Sequence, residues 1–114
     1  MSEDVQRFRD PIEAGDERLT AAQAFLARRQ LGTDGSLDTV EGLRRELERR
    51  GWRVDAGWRP GEAHQWVQAG KRDPAAPAGM ALVGATSASA VSAWQVTLAE
   101  AIAHDEQAAS ACER

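Results

Sequence analysis

The sequence predicts a two-layer α+β domain, in which a three-stranded antiparallel sheet packs on helices in the order α-α-β-β-β-α. Three observations predict this class. Apolar residues recur at helical spacing in the first half of the chain and again near its end. Between these segments, apolar and polar residues alternate as they do in strands. Glycine and proline separate the segments, so the connections are short and the strands are expected to pair antiparallel.

The length and composition are those of one globular domain. The chain has 114 residues, of which 42% are hydrophobic and 28% are charged. We expect a single domain over residues 16–106. Residues 1–15 are expected to be a loosely ordered lead-in, and residues 107–114 a flexible tail.

The first helix is predicted to begin near Asp16 and to end before Gly32. A Gly-rich loop separates it from the rest of the chain. This helix is therefore one candidate surface for self-association. Its apolar side consists of Leu19, Ala22, Phe25 and Leu26.

The second helix is predicted to begin at Asp38, which with Glu41 forms a capping box. Gly51 is expected to end it in a left-handed conformation. Trp52 would then pack back on Leu47. The apolar side of this helix consists of Val40, Leu43 and Leu47.

Two strands are predicted to follow as a hairpin with a turn at Pro60-Gly61. The residues of the first strand that share the core face are expected to be Trp52, Val54, Ala56 and Trp58. The second strand spans residues 64–70, and its orientation has two alternatives. Either Trp66 faces the core together with His64 and Gln68, or Val67 does so together with Gln65 and Ala69.

The run "MALVGA", residues 80–85, predicts a buried third strand. Thr86 or Ser87 is expected to cap the last helix, which is predicted to end near Glu106. A single apolar stripe is expected to attach this helix to the sheet. It consists of Val91, Trp94, Leu98, Ala101 and Ile102.

The sequence contains no arrangement typical of catalysis, of a metal site or of a cofactor site. Its two histidines are far apart, and His104 is expected to form an exposed i, i+4 pair with Glu100. Cys112 is the single cysteine, so an internal disulfide is excluded. The polar N-terminus and the lack of a long apolar run predict a cytoplasmic protein without a membrane span.

The leading hypothesis is a non-catalytic protein-interaction module of the adaptor, regulator or inhibitor type, with a protein partner. We expect its surface near the hairpin, because exposed tryptophan and arginine often anchor partners. The candidate residues are Trp58, His64, Trp66, Arg53 and Arg59.

Two alternatives remain. A small ligand could bind in a mouth lined by Trp58, His64 and Trp66 at the hairpin end. Nucleic acid could bind an arginine patch, but the net charge of −4 and the uncharged start of the last helix, "SASAVSAW", make nucleic acid a less favoured partner.

Overall fold

The computed structural model describes residues 12–13, 15–31, 35–58, 64–76 and 78–112. It confirms the predicted α+β class and the predicted order of the helices and the three main strands. The elements are β1 (Ile12–Glu13), α1 (Asp16–Arg28), a 3-10 helix (Ser36–Asp38), α2 (Val40–Arg49), β2 (Arg53–Trp58), β3 (Gln65–Arg72), β4 (Met80–Ser87) and α3 (Ala90–Cys112).

The sheet has the strand order β1-β4-β3-β2, so β2 is an edge strand. β2 and β3 form the predicted antiparallel hairpin, and β4 pairs antiparallel with β3. The short strand β1 pairs parallel to β4 and aligns Ile12 with Ala85. It was not predicted, because two residues are too few to reveal an alternating pattern. The predicted hairpin turn, Pro60-Gly61, lies outside the described residues.

One face of the sheet is covered by the helices. α3 lies over β3 and β4 rather than over β2, and α1 and α2 both pack on α3. The predicted stripe of α3 is confirmed, since Trp94, Leu98 and Ile102 are buried. The core therefore lies between α3 and the middle of the sheet, where Val67 and Ala69 are fully buried.

α1 begins at the predicted residue and packs its apolar side within the chain. Ala22 and Leu26 are buried in the core. Arg18 forms an ion pair with Glu100 of α3. Arg29 binds Glu106 of α3 through two hydrogen bonds of 2.5 and 2.6 Å. The apolar side of α1, expected to be a surface for self-association, is thus used against α3.

The N-terminus of α2 differs from the predicted capping box. Asp38 belongs to the preceding 3-10 helix, and Thr39 is the N-cap residue. The Thr39 hydroxyl accepts a hydrogen bond of 3.1 Å from the backbone N–H of Gly42. The capping prediction was wrong because the extra helical turn before Thr39 delays the start of α2.

We expect Thr39→Ala to lower the free energy of unfolding by about 1 kcal/mol, since it removes the hydroxyl that satisfies a helix-end N–H. Asp38→Ala is the matched control and is expected to change stability by less than about 0.5 kcal/mol. Urea denaturation of both variants measures the difference. A larger loss for Asp38→Ala would restore Asp38 as the cap.

The C-terminus of α2 confirms the prediction for Gly51 and Trp52. Gly51 has a φ of 88°. The Gly51 N–H donates to the Glu48 carbonyl, and the Trp52 N–H donates to the Leu47 carbonyl, both at 3.0 Å. This is a Schellman motif, which directs the chain from α2 into β2. Trp52 and Leu47 are both buried in the core.

α3 begins and ends later than predicted. Ser89 directly precedes the helix, and its hydroxyl accepts from the Ser92 N–H at 3.3 Å, whereas Thr86 and Ser87 belong to β4. The helix continues past Glu106 to Cys112 because glutamine and alanine favour a helix without burial. None of the described helices is long and apolar enough to span a bilayer.

Candidate interaction surface

Trp58 is the most exposed large apolar side chain of the described chain, although its strand position predicted burial. It shares the helix-side face of β2 with Val54 and Ala56, but 58% of it is accessible to solvent. α3 lies over β3 and β4 and does not reach the end of the edge strand. The expected burial of Trp58 was therefore wrong, because alternation identifies a face but not the helix that covers it.

Trp66 lies on the opposite face of the sheet. Val67 and Ala69 face the core. Of the two predicted orientations of β3, the one in which Val67 faces the core is therefore the one observed. Trp66 is half-buried, and its indole lies over Gly57 of β2. A Cβ atom built on Gly57 would be 3.0 Å from the Trp66 indole nitrogen. Glycine at position 57 thus lets the indole lie flat across the neighbouring strand.

The candidate residues of the hairpin do not line a common mouth. Trp58 pairs with Gln65 and Gly57 pairs with Trp66, so the two indoles point to opposite faces. His64 directly precedes β3 and is half-buried. Arg59 lies outside the described residues. This register separates Trp58 from Trp66, two of the three residues that were expected to line a ligand mouth with His64.

The face of the sheet that no described helix covers, called here the open face, presents further apolar residues. It consists of Arg53, Asp55, Gly57, Trp66, Gln68, Gly70, Arg72, Met80, Leu82, Gly84 and Thr86. Met80 is 46% exposed and Leu82 is 37% exposed. The strand predicted from "MALVGA" is confirmed. Its predicted burial holds for Ala81 and Ala85, which lie in the core, but not for Met80 and Leu82.

Most described arginines of α2 are paired with glutamates. Arg45 binds Glu41 at 3.0 Å. Arg49 and Arg50 both bind Glu46, at 2.5 and 2.9 Å. The hydrogen bond from Arg49, with a further one from Arg50, holds the pKa of the Glu46 carboxyl below its usual value. This pairing reduces the positive charge available to a polyanion.

Two other arginines, one on α2 and one on β2, differ from these. No described carboxylate forms an ion pair with Arg44 or Arg53. The Arg44 guanidinium lies 5.9 Å from the centre of the Trp94 ring, and Arg53 begins the edge strand on the open face. Trp94 is itself buried, and its indole N–H donates to the Gln65 side chain at 3.2 Å.

A polar cluster that the sequence did not reveal joins α3 to β3 and to the residue that precedes β2. Asp105 accepts from the Trp52 indole N–H at 3.1 Å and from the Lys71 ammonium at 2.9 Å. Lys71 also donates to the backbone carbonyl of Arg50, at the C-terminus of α2. No sequence signal linked these residues, because up to 53 positions separate them along the chain.

His104 belongs to the same region. Its Nε2 atom lies 3.0 Å from Asp73, whereas Glu100 is bound by Arg18. The expected pair of His104 with Glu100 is therefore wrong. His104 and Trp52 make an edge-on ring contact at 5.7 Å. Lys71 with Asp105 and His104 with Asp73 thus connect α3 to the sheet and to the segment that follows β3.

Among the cavities lined by described residues, two shallow ones flank the helices. The larger, of about 330 Å³, lies between the C-terminal ends of α1 and α2 and the last turns of α3. Its charged groups include Arg29 and Glu106, which bind each other, and Asp105, which binds Lys71. Within the described ranges, no group of three or more metal-ligating side chains lies close enough to hold an ion.

No protein-family model, curated protein or solved structure matches the chain. The surface around β2 is therefore interpreted from its own geometry and chemistry.

Proposed function

We propose that the chain is a small non-catalytic protein-interaction module that binds a protein partner along β2. The observation that carries this proposal is the exposure of Trp58 on a strand whose outer edge pairs with no described strand. We further propose a cytoplasmic location, which the presence of only one cysteine in 114 residues favours.

The edge of β2 that faces away from β3, called here the free edge, supplies the backbone part of the binding surface. Backbone N–H and C=O groups along such an edge can pair with an added strand from another chain. Four of the six residues of β2 are exposed, namely Arg53, Asp55, Ala56 and Trp58. A partner strand would therefore find backbone groups together with charged, small and aromatic side chains within reach.

Trp58 supplies the side-chain part. Tryptophan is among the residues that most often dominate the binding energy of an interface, because it buries a large apolar area. Val54, on the same face, is only partly buried. Arg44 and Arg53 are arginines without a described ion-pair partner, and they favour a segment that also carries a carboxylate.

The ligand-binding alternative lacks a comparable basis, because Trp58 and Trp66 lie on opposite faces of the sheet. The nucleic-acid alternative is weakened by the glutamates that pair with Arg45, Arg49 and Arg50.

We expect Trp58→Ala to reduce partner binding at least about tenfold while leaving the fold intact, since interface tryptophans often contribute 2 kcal/mol or more. The measurement is affinity capture from extracts of the source cells, with the immobilised wild-type chain compared with the variant by quantitative mass spectrometry. Met80→Ala is the matched control, because Met80 is also exposed but lies on the open face.

Support requires at least one protein that the wild-type chain and Met80→Ala retain and Trp58→Ala loses. If every captured protein binds all three chains equally, β2 is not the binding surface and the proposal fails.

A further inference from the structure

We propose that the partner bound along β2 is a second copy of this chain. The two β2 strands pair antiparallel around a two-fold axis at Val54, so the two sheets become one continuous sheet. This inference rests on the proposed function for the edge that it uses. In this register Trp58 lies opposite position 50 of the second copy, beyond the paired residues, so the charge variants below test the inference and Trp58→Ala does not.

The first support is a pair of opposite charges on the edge strand. Arg53 and Asp55 lie two positions apart, so both side chains project from the open face. Across the hairpin they face Gly70 and Gln68, neither of which carries a charge. Neither residue forms an ion pair with a described residue, and both are exposed. The edge therefore carries one positive and one negative group without a cross-strand counter-charge.

Such an arrangement is complementary to itself. In an antiparallel pair centred on Val54, Arg53 lies opposite Asp55 of the second copy, and Asp55 lies opposite Arg53 of the second copy. Opposite charges directly across a strand pair stabilise it, so the symmetric dimer gains two such pairs at once. On the other face, the two Val54 side chains meet at the axis.

The neighbouring registers lack this complementarity. A two-fold axis at Asp55 would place the two Asp55 carboxylates opposite each other, where like charges repel. An axis at Ala56 would place Asp55 opposite Gly57 of the second copy and leave its charge unmatched. Registers shifted by one residue would bring an open-face side chain opposite a helix-side one, which a continuous sheet does not allow.

The strand overlap in this register is short, since only Arg53, Val54 and Asp55 of β2 pair with their counterparts within the strand. A small interface implies weak association. We expect dimers to be visible by sedimentation equilibrium at a chain concentration of roughly 100 µM, with monomers prevailing on dilution.

The decisive test uses two charge variants, Arg53→Asp and Asp55→Arg. Each alone places like charges at both cross-strand pairs, so we expect its dissociation constant to rise at least about tenfold. When the two variants are mixed, each aspartate of one chain lies opposite an arginine of the other. We therefore expect the mixture to form a heterodimer about as strong as the wild-type dimer.

Arg28→Asp is the control. It makes the same change of charge as Arg53→Asp, but on α1, which packs on α3. We expect it to dimerise like the wild type. Thermal unfolding of each variant verifies that it is folded. Restored association in the mixture cannot come from misfolded chains, so it separates the pairing from a structural effect.

A strictly monomeric wild-type chain would overturn the inference, as would a dimer that both charge variants leave unchanged. Neither result would overturn the proposed function, which fails only if capture of other proteins is independent of Trp58. If a different protein is captured in a Trp58-dependent manner while the chain remains monomeric, the edge serves that protein instead.

Discussion

Trp52→Ala is expected to lower the free energy of unfolding by about 3–5 kcal/mol, the range typical of truncating a buried tryptophan. Trp52 is only 2% exposed and belongs to the same core cluster as Leu47. Its truncation would leave a cavity at the point where α2, α3 and β2 meet. It would also remove the indole N–H that donates a hydrogen bond to Asp105, so the Asp105 carboxylate would lose one of its partners.

The measurement is urea denaturation followed by circular dichroism, because the loss of a tryptophan changes the fluorescence signal. Trp58→Ala is the control, with the same change of side chain at an exposed position, and we expect it to change stability by less than about 0.5 kcal/mol. Equal effects of the two variants would contradict the burial difference between Trp52 and Trp58.

Gly42→Ala is expected to lower the free energy of unfolding by about 2–3 kcal/mol, as overpacking a close contact does. In most helix positions the same substitution stabilises a protein by up to about 1 kcal/mol. Here a Cβ atom on Gly42 would overlap the backbone carbonyl oxygen of Ser36. A carbonyl in a 3-10 helix cannot move independently, and its displacement would shift the buried side chain of Leu37.

Gly15→Ala is the matched control for this prediction. Gly15 precedes α1 with a φ of −74°, and a Cβ atom built there has no neighbour within 4 Å. We expect only a small change in its melting temperature, against a decrease of roughly 8 °C or more for Gly42→Ala. An unchanged or raised melting temperature for Gly42→Ala would mean that the 3-10 helix does not hold its carbonyl against α2.

The candidate site was only partly predictable from sequence. Trp58 and Arg53 were recognised as candidates from their position in the hairpin. Their exposure could not be predicted, because Trp52 and Trp58 share one alternating pattern and yet differ in burial. The two residues are six positions apart, which is roughly 20 Å along an extended chain. Over that distance β2 passes from the contact with α2 to a part of the sheet that no described helix covers.

The sequence alone determined the helices, the hairpin and the left-handed turn at Gly51. These features arise from contacts between residues within about six positions of each other, and the spacing of such residues can be read from the sequence. The tertiary structure alone decided that Val67 and not Trp66 faces the core, that Trp58 is left exposed, that α1 packs against α3, and that Asp105 contacts Trp52 and Lys71. These features depend on where the axis of α3 crosses the sheet. That position results from packing between residues far apart in the chain, so no short-range pattern encodes it.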